Sequence, residues 1–249
     1  MLTAERHKFI LEELREKGSV LNTELMRELE ASESTIRRDI SRLAKEGRCQ
    51  RVHGGAILPE SLPGDQDDAV TLRQQRHRTE KLAIAREAAG LIRDGELIYL
   101  DAGTTTELMI DFIHGKDLTF VTNAISHARR LGQRGYNCYI LGGQFKSVTE
   151  AIVGEEASLS VRKYNFSRAF LGANGVDLQA GFTTPELKEA YIKQQAMAAS
   201  RQVYILADAS KFGRVAPISF GSFAEARVLV AGQLDDSYRS YENIWEVSE

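Results

Sequence analysis

The stretch from Ser32 to Leu43, S-E-S-T-I-R-R-D-I-S-R-L, constrains the fold of this chain more than any other. At about 3.6 residues per turn, Ile36, Ile40 and Leu43 fall on one side of a helix, which predicts a buried face. The Ser32 hydroxyl is suited to capping the first turn. The opposite side carries hydroxyl and basic side chains, namely Ser34, Thr35, Arg38, Ser41, Arg42 and Lys45, with Arg37 on the flank.

A helical face of this composition is suited to nucleic acid. Arginine pairs with guanine edges or with phosphates through two hydrogen bonds, and small hydroxyl side chains allow a close approach to the backbone. A solvated surface helix carries similar charges, so the helix alone leaves both interpretations open. The segments on either side of it favour DNA.

Two further amphipathic helices come first, over residues 3–17 and 24–30, the second with Asn22 or Thr23 as its cap. Only Ala31 and its immediate neighbours separate the second of them from the helix above. Two short helices joined this tightly, the second presenting arginines, are typical of a helix-turn-helix.

A β-wing is predicted after that helix ends near Gly47. Residues 50–53 and 56–58 can form two short strands, and Gly54-Gly55 can form the turn between them. The basic side chains expected to line this wing are Arg48, Arg51 and His53.

The distribution of charge is uneven. The whole chain has a net charge of −3 at pH 7, which excludes a protein that is basic overall. From Ser34 to Gly55, however, six basic residues stand against two acidic ones, Asp39 and Glu46, a balance of +4. Any attraction to DNA is therefore expected to be local, on one docking face.

Cysteine usage and hydropathy bear on location and cofactors. The two cysteines, Cys49 and Cys138, lack the spacing of a metal site, and free thiols are typical of a reducing compartment. No apolar run approaches the length of a membrane span, and the N-terminus lacks a signal-peptide core. We therefore expect a cytoplasmic protein with no membrane partner, no metal and no cofactor.

Two domains are predicted, a DNA-binding domain at residues 1–58 and a larger domain at residues 77–249, joined by a linker at residues 59–76 that contains two prolines and an acidic cluster. In the larger domain, β-rich apolar runs alternate with helical patterns, which predicts an α/β fold with a largely parallel sheet. The predicted strands are 97–100, 119–122, 137–141, 168–171, 202–207 and 227–230. The main predicted helices are 77–94, 106–114, 124–134 and 186–200.

The predicted strands of the larger domain end in small or polar residues, where open α/β sheets bind their ligands. The first strand runs into D-A-G-T-T-T, in which Gly103 permits a tight turn and the threonines lie beside the free amides of the next helix. This arrangement suits a phosphate or another anion, although threonines that only cap the helix would have the same pattern. Lys211, after the fifth strand, could supply a positive charge to the same anion.

The motif T-I-R-R-D-I-S-R-L, followed by a glycine and R-V-H-G-G-A, resembles the N-terminal signature of the DeoR family of bacterial sugar-metabolism regulators. D-A-G-T-T, V-T-N, L-G-G, G-A-N-G-V and D-A-S-K-F-G resemble the effector domain of that family, so the resemblance covers nearly the whole chain. It implies a winged helix-turn-helix followed by an α/β domain similar in fold to ribose-5-phosphate isomerase and the CoA transferases. It also implies that the second domain binds a phosphorylated sugar or polyol.

The resemblance extends to individual residues. It implies DNA contacts from the recognition helix at Thr35, Arg37, Arg38 and Arg42, with Ser34 and Lys45 close by. The effector candidates that it implies are Asp101, Gly103, Thr104, Thr105, Asn123, Gly143, Gly175 and Lys211. Glu186 is a further candidate, which could equally be an N-terminal helix acid without a ligand role.

Two functions remain open. The first is a transcriptional regulator, most simply a repressor of a sugar or polyol operon, that binds paired half-sites as a dimer or tetramer because one short helix specifies too few base pairs. The second is a sugar-phosphate isomerase-like enzyme with an accessory N-terminal module, for which Asp101, Glu186 or Asp208 would be the carboxylate base. An isomerase has no use for three arginines on one exposed face, which favours the regulator. Four histidines without catalytic or metal spacing are expected to be solvated: His7, His77, His114 and His127.

Overall fold

The computed structural model describes residues 3–17, 19–45, 48–52, 54–57 and 70–248. The chain divides into two compact units, Met1–Leu62 (the N-terminal unit) and Pro63–Glu249 (the C-terminal unit). Residues 59–69 of the predicted linker, together with His53 and Leu58 of the predicted wing, lie outside the described residues. Within the described ranges, no helix has both the length and the apolar character needed to cross a membrane.

The N-terminal unit is a three-helix arrangement with a small antiparallel sheet in the order β1-β3-β2. Its elements are α1 (Thr3–Lys17), β1 (Ser19–Leu21), α2 (Asn22–Glu28), α3 (Glu33–Lys45), β2 (Gln50–Val52) and β3 (Gly55–Ile57). All three helices contribute to one core that includes Leu14, Leu25 and Ile40. The predicted winged helix-turn-helix is confirmed.

The wing contains one strand more than predicted, because β1 is too short to show alternation in the sequence. β1 pairs with β3 so closely that a Cβ at Gly55 would collide with the Val20 carbonyl oxygen. Gly54 adopts a φ of 87°, as the turn between β2 and β3 requires. The two glycines therefore serve different purposes, one for close approach and one for the turn.

The helix caps were predicted with mixed success. Thr35 N donates to Ser32 Oγ at 3.3 Å, which confirms the cap of α3. The predicted cap of α2 by Asn22 or Thr23 is wrong: Asn22 is already helical, its N–H donates to Gly54 O at 2.8 Å, and no side chain caps this end.

The C-terminal unit is built around a seven-stranded, fully parallel sheet in the order β15-β14-β12-β9-β4-β5-β6. All six predicted strands belong to it. Its helices are α4 (Val70–Gln75), α5 (Arg78–Gly90), α6 (Thr104–Met109), α7 (Ile125–Gln133), α8 (Glu155–Val161), α9 (Leu187–Ala198) and α10 (Asp236–Arg239). The strands of the parallel sheet are β4 (Leu97–Leu100), β5 (Thr119–Thr122), β6 (Asn137–Ile140), β9 (Phe166–Gly172), β12 (Ser200–Leu206), β14 (Arg227–Val230) and β15 (Ile244–Glu246).

Two small antiparallel sheets were not predicted. They are the hairpin of β7 (Gln144–Lys146) with β8 (Ala151–Val153), and the sheet of β10 (Gly175–Asp177), β11 (Gly181–Thr184) and β13 (Ile218–Gly221). Each of these strands has only three or four residues, too few for a periodic pattern to be recognised.

Apolar side chains of the parallel sheet alternate between two cores. Along β4, Ile98 and Leu100 pack in one core while Tyr99 packs in the other. Both faces of the sheet are therefore covered, as a parallel sheet requires. The chain runs from β4 to β5 and β6 on one side and returns to β9 and β12 on the other, so the order reverses between β4 and β9. A ligand site is expected outside this reversal point.

Candidate nucleic-acid interface and ligand cavity

The exposed face of α3 has the composition that the sequence predicted. Ile36, Ile40 and Leu43 are buried, and the opposite side is open to solvent. We call the exposed set the reading face; it consists of Ser34, Arg37, Arg38, Arg42 and Lys45 on α3, with Arg48 and Arg51 of the wing segment. Thr35 is half-buried beside it. The fold brings these side chains together in one unit, as docking on DNA requires.

The wing and α3 are in direct contact. The Arg51 guanidinium donates to Ser41 Oγ at 3.4 Å, which places a wing arginine against the middle of the helix. On the helix itself, Arg37 forms an ion pair with Glu33 at 2.6 Å. Arg37 is therefore partly neutralised on the free protein.

Asp39, counted above among the acids of this region, does not lie on the reading face. Asp39 is only 4% exposed, and its carboxylate accepts hydrogen bonds from Arg6 Nε at 2.7 Å and His7 Nε2 at 3.2 Å. Both partners are on α1, more than thirty positions earlier in the chain. Because Asp39 is buried against α1 and its charge is compensated there, the reading face is more positive than the residue count of this region indicates.

A cavity of about 290 Å³ lies at the reversal point of the parallel sheet. The segments that follow β4 (Ala102–Thr106) and β9 (Gly172–Asn174) form part of its wall. Its size suits a small metabolite. We call it the strand-end cavity.

Basic side chains dominate the wall of the strand-end cavity. Six line it: Arg73, Arg76, Lys81, Lys193, Lys211 and Arg214. Only two acidic side chains, Glu189 and Asp208, line it with them, which leaves a balance of +4. A concave surface with this charge attracts anions.

The threonines after β4 have divided roles. Thr106 Oγ1 donates to Asp101 O at 2.7 Å and to Gly103 O at 2.8 Å, so it stabilises the turn. The hydroxyls of Thr104 and Thr105, which also line the cavity, form no hydrogen bond with any residue in the described part of the chain. They are available to a ligand.

Lys81 is buried in the wall of the cavity, with 5% of its surface exposed. Its ammonium group donates to the Arg73 carbonyl. Burial lowers the pKa of Lys81 to about 8; Asp208 opposes this change, and the neighbouring cations Lys211, Arg73 and Arg76 add to it. A bound anion close to Lys81 would stabilise the charged ammonium and raise its pKa again, so charging of Lys81 and anion binding favour each other.

A buried ion pair joins the end of β4 to α9, and both of its partners form hydrogen bonds with Gly172 at the end of β9. The Asp101 carboxylate accepts hydrogen bonds from the Lys193 ammonium and from Gly172 N, the latter at 3.2 Å. Lys193 also donates to Gly172 O at 3.0 Å. Lys193 lines the strand-end cavity, whereas Asp101 does not. The carboxylate thus holds a cavity-lining lysine in place.

Of the remaining effector candidates, four line the cavity: Gly103, Thr104, Thr105 and Lys211. Asn123, Gly143, Gly175 and Glu186 do not. Asn123 Oδ1 accepts from Ala102 N at 2.8 Å and so supports the loop after β4, while Glu186 forms an ion pair with Lys146. A Cβ at Gly175 would collide with the Arg214 carbonyl, and one at Gly143 would come within 2.8 Å of Val153 O.

Six charged residues of the cavity were missed from the sequence: Arg73, Arg76, Lys81, Glu189, Lys193 and Arg214. Lys81 gave a signal, because it lies on the same helical face as Ile84, Ala85 and Ala88, all of them buried. A lysine on the apolar face of a helix requires a partner or a ligand. Arg73 and Arg76 lie within the segment that the composition marked as linker.

The prediction that His127 is solvated is wrong. His127 is 2% exposed, since it lies on the inner side of α7 with Leu131 one turn later. Burial lowers its pKa to about 4, although Glu107 and Asp101 act in the opposite direction, and its Nδ1 has no hydrogen-bond partner among the described residues. The same part of the chain contains no group of three or more His, Cys, Asp or Glu side chains arranged to hold a metal ion.

Two family models match the chain. The DeoR C terminal sensor domain matches residues 76–233, and the DeoR-like helix-turn-helix domain matches residues 6–62. The chain belongs to the DeoR family. This DeoR-family protein is a transcriptional regulator with a DNA-binding helix-turn-helix and a sensor domain, which confirms the resemblance seen in its sequence motifs.

Curated relatives match along nearly the full length of this DeoR-family chain. The "Uncharacterized HTH-type transcriptional regulator FruR" of Bacillus subtilis (strain 168) is 40% identical over 243 residues, 97% of this chain and 96% of its own. The "Lactose phosphotransferase system repressor" of Staphylococcus aureus (strain N315) is 33% identical over 236 residues, 93% of this chain and 91% of its own. Among solved structures, ribose 5-phosphate isomerase from Plasmodium falciparum matches with a TM-score of 0.39 and 14% identity, covering 54% of this chain and 52% of its own.

Proposed function

We propose that this DeoR-family protein represses a sugar or polyol operon, and that a phosphorylated sugar or polyol bound in the strand-end cavity controls its affinity for operator DNA. The observation that carries the proposal is the balance of +4 among the side chains lining a cavity at the reversal point of a parallel sheet. The unbonded hydroxyls of Thr104 and Thr105 add hydrogen-bond donors for phosphate or sugar oxygens. The name of the Staphylococcus relative, a lactose phosphotransferase system repressor, agrees with this assignment.

On the DNA side, the proposed contacts are those of the reading face, together with Thr35 and His53. A homodimer or tetramer would place two such faces on paired half-sites, since one short helix reads too few base pairs for specific binding. A protein that binds operator DNA works where the chromosome lies, so we assign it to the cytoplasm, with no membrane partner and no cofactor.

The alternative, a sugar-phosphate isomerase-like enzyme, has less support. Of the three carboxylates considered as its base, Asp101 is paired with Lys193, and Glu186 is paired with Lys146 outside the cavity. Asp208 does line the cavity, but its carboxylate accepts hydrogen bonds from the backbone and hydroxyl of Ser210. The two curated relatives are named as transcriptional regulators, which also favours regulation over catalysis.

The test is a thermal-shift titration of the full chain with fructose 1-phosphate, fructose 6-phosphate, ribose 5-phosphate and glycerol 3-phosphate, each compared with the parent sugar or polyol. An ester at about 100 times its Kd should stabilise the C-terminal unit by about 2.7 kcal/mol, while the parent compound should not. Lys211→Gln should abolish most of the shift. Lys116→Gln is the matched control, because Lys116 is exposed and does not line the cavity.

Operator binding is measured next, by fluorescence anisotropy on a DNA site selected from a random library. An ester that shifts the melting temperature should also change the affinity of the protein for this site. A cavity that binds esters without any change in DNA affinity would contradict the regulatory part of the proposal, and turnover of a bound ester would favour the enzyme.

A further inference from the structure

Three of the six basic residues of the strand-end cavity come from one short segment, Arg73 to Lys81. Arg73 lies on α4, Arg76 follows the end of α4, and Lys81 lies in the first turns of α5. α4 is the first described element of the C-terminal unit along the chain. One wall of the cavity is therefore built from the first described segment of the C-terminal unit.

The described contacts of α4 are with α6, with Val148 and with Lys81. α4 has six residues, and a helix of this length has no stability of its own in water. It packs against α6, where the Gln74 amide donates to Glu107 Oε2 at 3.1 Å. At its start, Val70 N donates to Val148 O at 3.3 Å, and near its end the Arg73 carbonyl accepts from the buried Lys81. A change at Arg73 or Lys81 therefore bears directly on whether α4 remains docked.

The Arg73 guanidinium has a buried donor without an acceptor in the described part of the chain. Its Nε is buried and finds no hydrogen-bond acceptor among the described residues. The side chain lines both the strand-end cavity and a second, much smaller cavity beside Gly103 and Thr104. A buried guanidinium N–H without an acceptor is unfavourable, and a phosphate oxygen is the acceptor that such a group binds best.

We infer that Arg73 couples the two functions of the protein: it binds a phosphate oxygen of the effector, and this contact fixes α4 against the C-terminal unit. The inference rests on the proposed function and adds the residue and the element through which occupancy of the cavity acts on DNA binding. The effector binds the docked position of α4 better than any undocked position, which is the differential affinity that a ligand needs in order to shift an equilibrium. Lys81 also takes part: the same phosphate stabilises the charge of its ammonium group, which donates a hydrogen bond to the Arg73 carbonyl.

The experiment uses the full chain and inorganic phosphate as the probe, with hydrogen exchange of the α4 amides as the first measurement. In the wild type, saturating phosphate should slow exchange in α4 by about tenfold or more, because undocking must precede exchange. Arg73→Gln should bind phosphate more weakly and show no slowing of α4 when saturated. Arg78→Gln is the matched control, since it makes the same change of charge at an exposed residue that does not line the cavity.

A second variant tests α4 without altering the cavity. Gln74→Ala removes the hydrogen bond to Glu107, and Gln74 does not line the strand-end cavity. If binding requires a docked α4, this variant should bind phosphate about threefold to tenfold more weakly and exchange its α4 amides faster when free. A Gln74→Ala protein with wild-type phosphate affinity would overturn the inference.

Operator affinity separates this inference from the proposed function. With the ester identified by thermal shift, the wild type and Arg78→Gln should respond fully, and Arg73→Gln at saturating ester should respond little. If Arg73→Gln responds fully, the coupling role of Arg73 is wrong, while the proposed function stands. A wild type that responds to no ester overturns the proposed function, and this inference with it.

Discussion

The reading face and the strand-end cavity are both rich in basic side chains, yet they are built in opposite ways. The reading face comes from one continuous stretch, residues 34–51, and its cations are exposed on a helix and a wing. The cavity collects its wall from segments between Arg73 and Arg214, and some of its cations, such as Lys81 and Lys193, are buried. A surface that must meet a large, charged partner can be made locally, whereas a cavity that encloses a small one must be assembled from many elements.

Both units contain a buried ion pair between residues far apart in the chain. In each unit, close to the basic side chains in the sequence or in space, a carboxylate forms a buried ion pair with a basic residue of a distant helix. In the N-terminal unit the pair is Arg6 with Asp39, and in the C-terminal unit it is Lys193 with Asp101. In the first case the pair compensates a carboxylate that lies away from the reading face; in the second it positions a lysine that lines the cavity.

The largest effect is expected from breaking the pair in the C-terminal unit. Asp101→Asn leaves Lys193 buried without a counter-charge, so the free energy of unfolding should fall by about 3–5 kcal/mol. Denaturant unfolding followed by the fluorescence of Trp245, the one tryptophan of the chain, measures this in the unit concerned.

Two further variants test whether this loss comes from the pair. Adding Lys193→Met to Asp101→Asn should recover part of the stability, because the unpaired charge is removed. Asp117→Asn, at an exposed position, should change the free energy of unfolding by less than about 0.5 kcal/mol. A loss below about 1 kcal/mol for Asp101→Asn would indicate that Asp101 serves the effector rather than the fold.

A substitution on the reading face should have the opposite outcome: it should reduce DNA affinity and leave the stability of the fold unchanged. Arg38→Ala should weaken operator binding by about 1–3 kcal/mol and leave the unfolding free energy almost unchanged, because Arg38 is exposed. Anisotropy titrations over a range of salt concentrations measure both affinity and its salt dependence. If Arg38 contacts a phosphate, the salt slope should fall by about 1 per site.

The control for Arg38 is Lys8→Ala on α1, where the side chain is 77% exposed and paired with Glu12 at 3.9 Å. It removes one positive charge from the same unit without altering α3. Equal losses of affinity for the two variants would show that only the overall charge of the unit matters, and that α3 is not the recognition helix.

A smaller effect, on the pH dependence of stability, is expected from His127. This residue is buried, whereas the basic side chains of the reading face are exposed. Its pKa of about 4 lies below the ordinary value of 6.5, so the unfolded state binds the proton more readily than the folded state. This contribution to stability is complete above the unfolded pKa and is lost as the pH falls toward the folded pKa. Between about pH 7 and pH 5 the loss should amount to about 2 kcal/mol.

Comparison with His127→Gln isolates this contribution, since the variant has no titrating group at the position. The decrease in the free energy of unfolding from pH 7 to pH 5 should be smaller in the variant by about 2 kcal/mol, whatever its stability at pH 7. Equal decreases in the two proteins would mean that His127 titrates normally in the folded state.

Elements with clear periodicity were predicted well from the sequence. α3 and its cap at Ser32, the six strands from Leu97 to Val230 and the parallel sheet all agree with the structure. The hairpin of β7 and β8 was missed because three residues cannot show a pattern. The assignment of Arg73 to a linker followed from the prolines and acids just before it, whose composition dominated the segment.

The candidate site was predicted in part. Gly103, Thr104, Thr105 and Lys211 line the cavity because they follow the strands whose carboxyl ends meet there. Lys193 lies in the middle of a helix, where its sequence context resembles that of any solvated lysine. Its place in the wall depends on how α9 packs across the sheet.

The sequence by itself determined the composition of the reading face, the parallel sheet and the clustering of small and polar residues at the strand ends, where the cavity lies. These follow from the periodicity of side chains along a helix or a strand, which is a local property of the chain. Only the tertiary structure decided that Asp39 and Asp101 are neutralised, that His127 is buried and that α4 supplies Arg73 to the cavity. Each of these depends on contacts between residues far apart in the chain, and burial and electrostatic interactions act through space and not along the sequence.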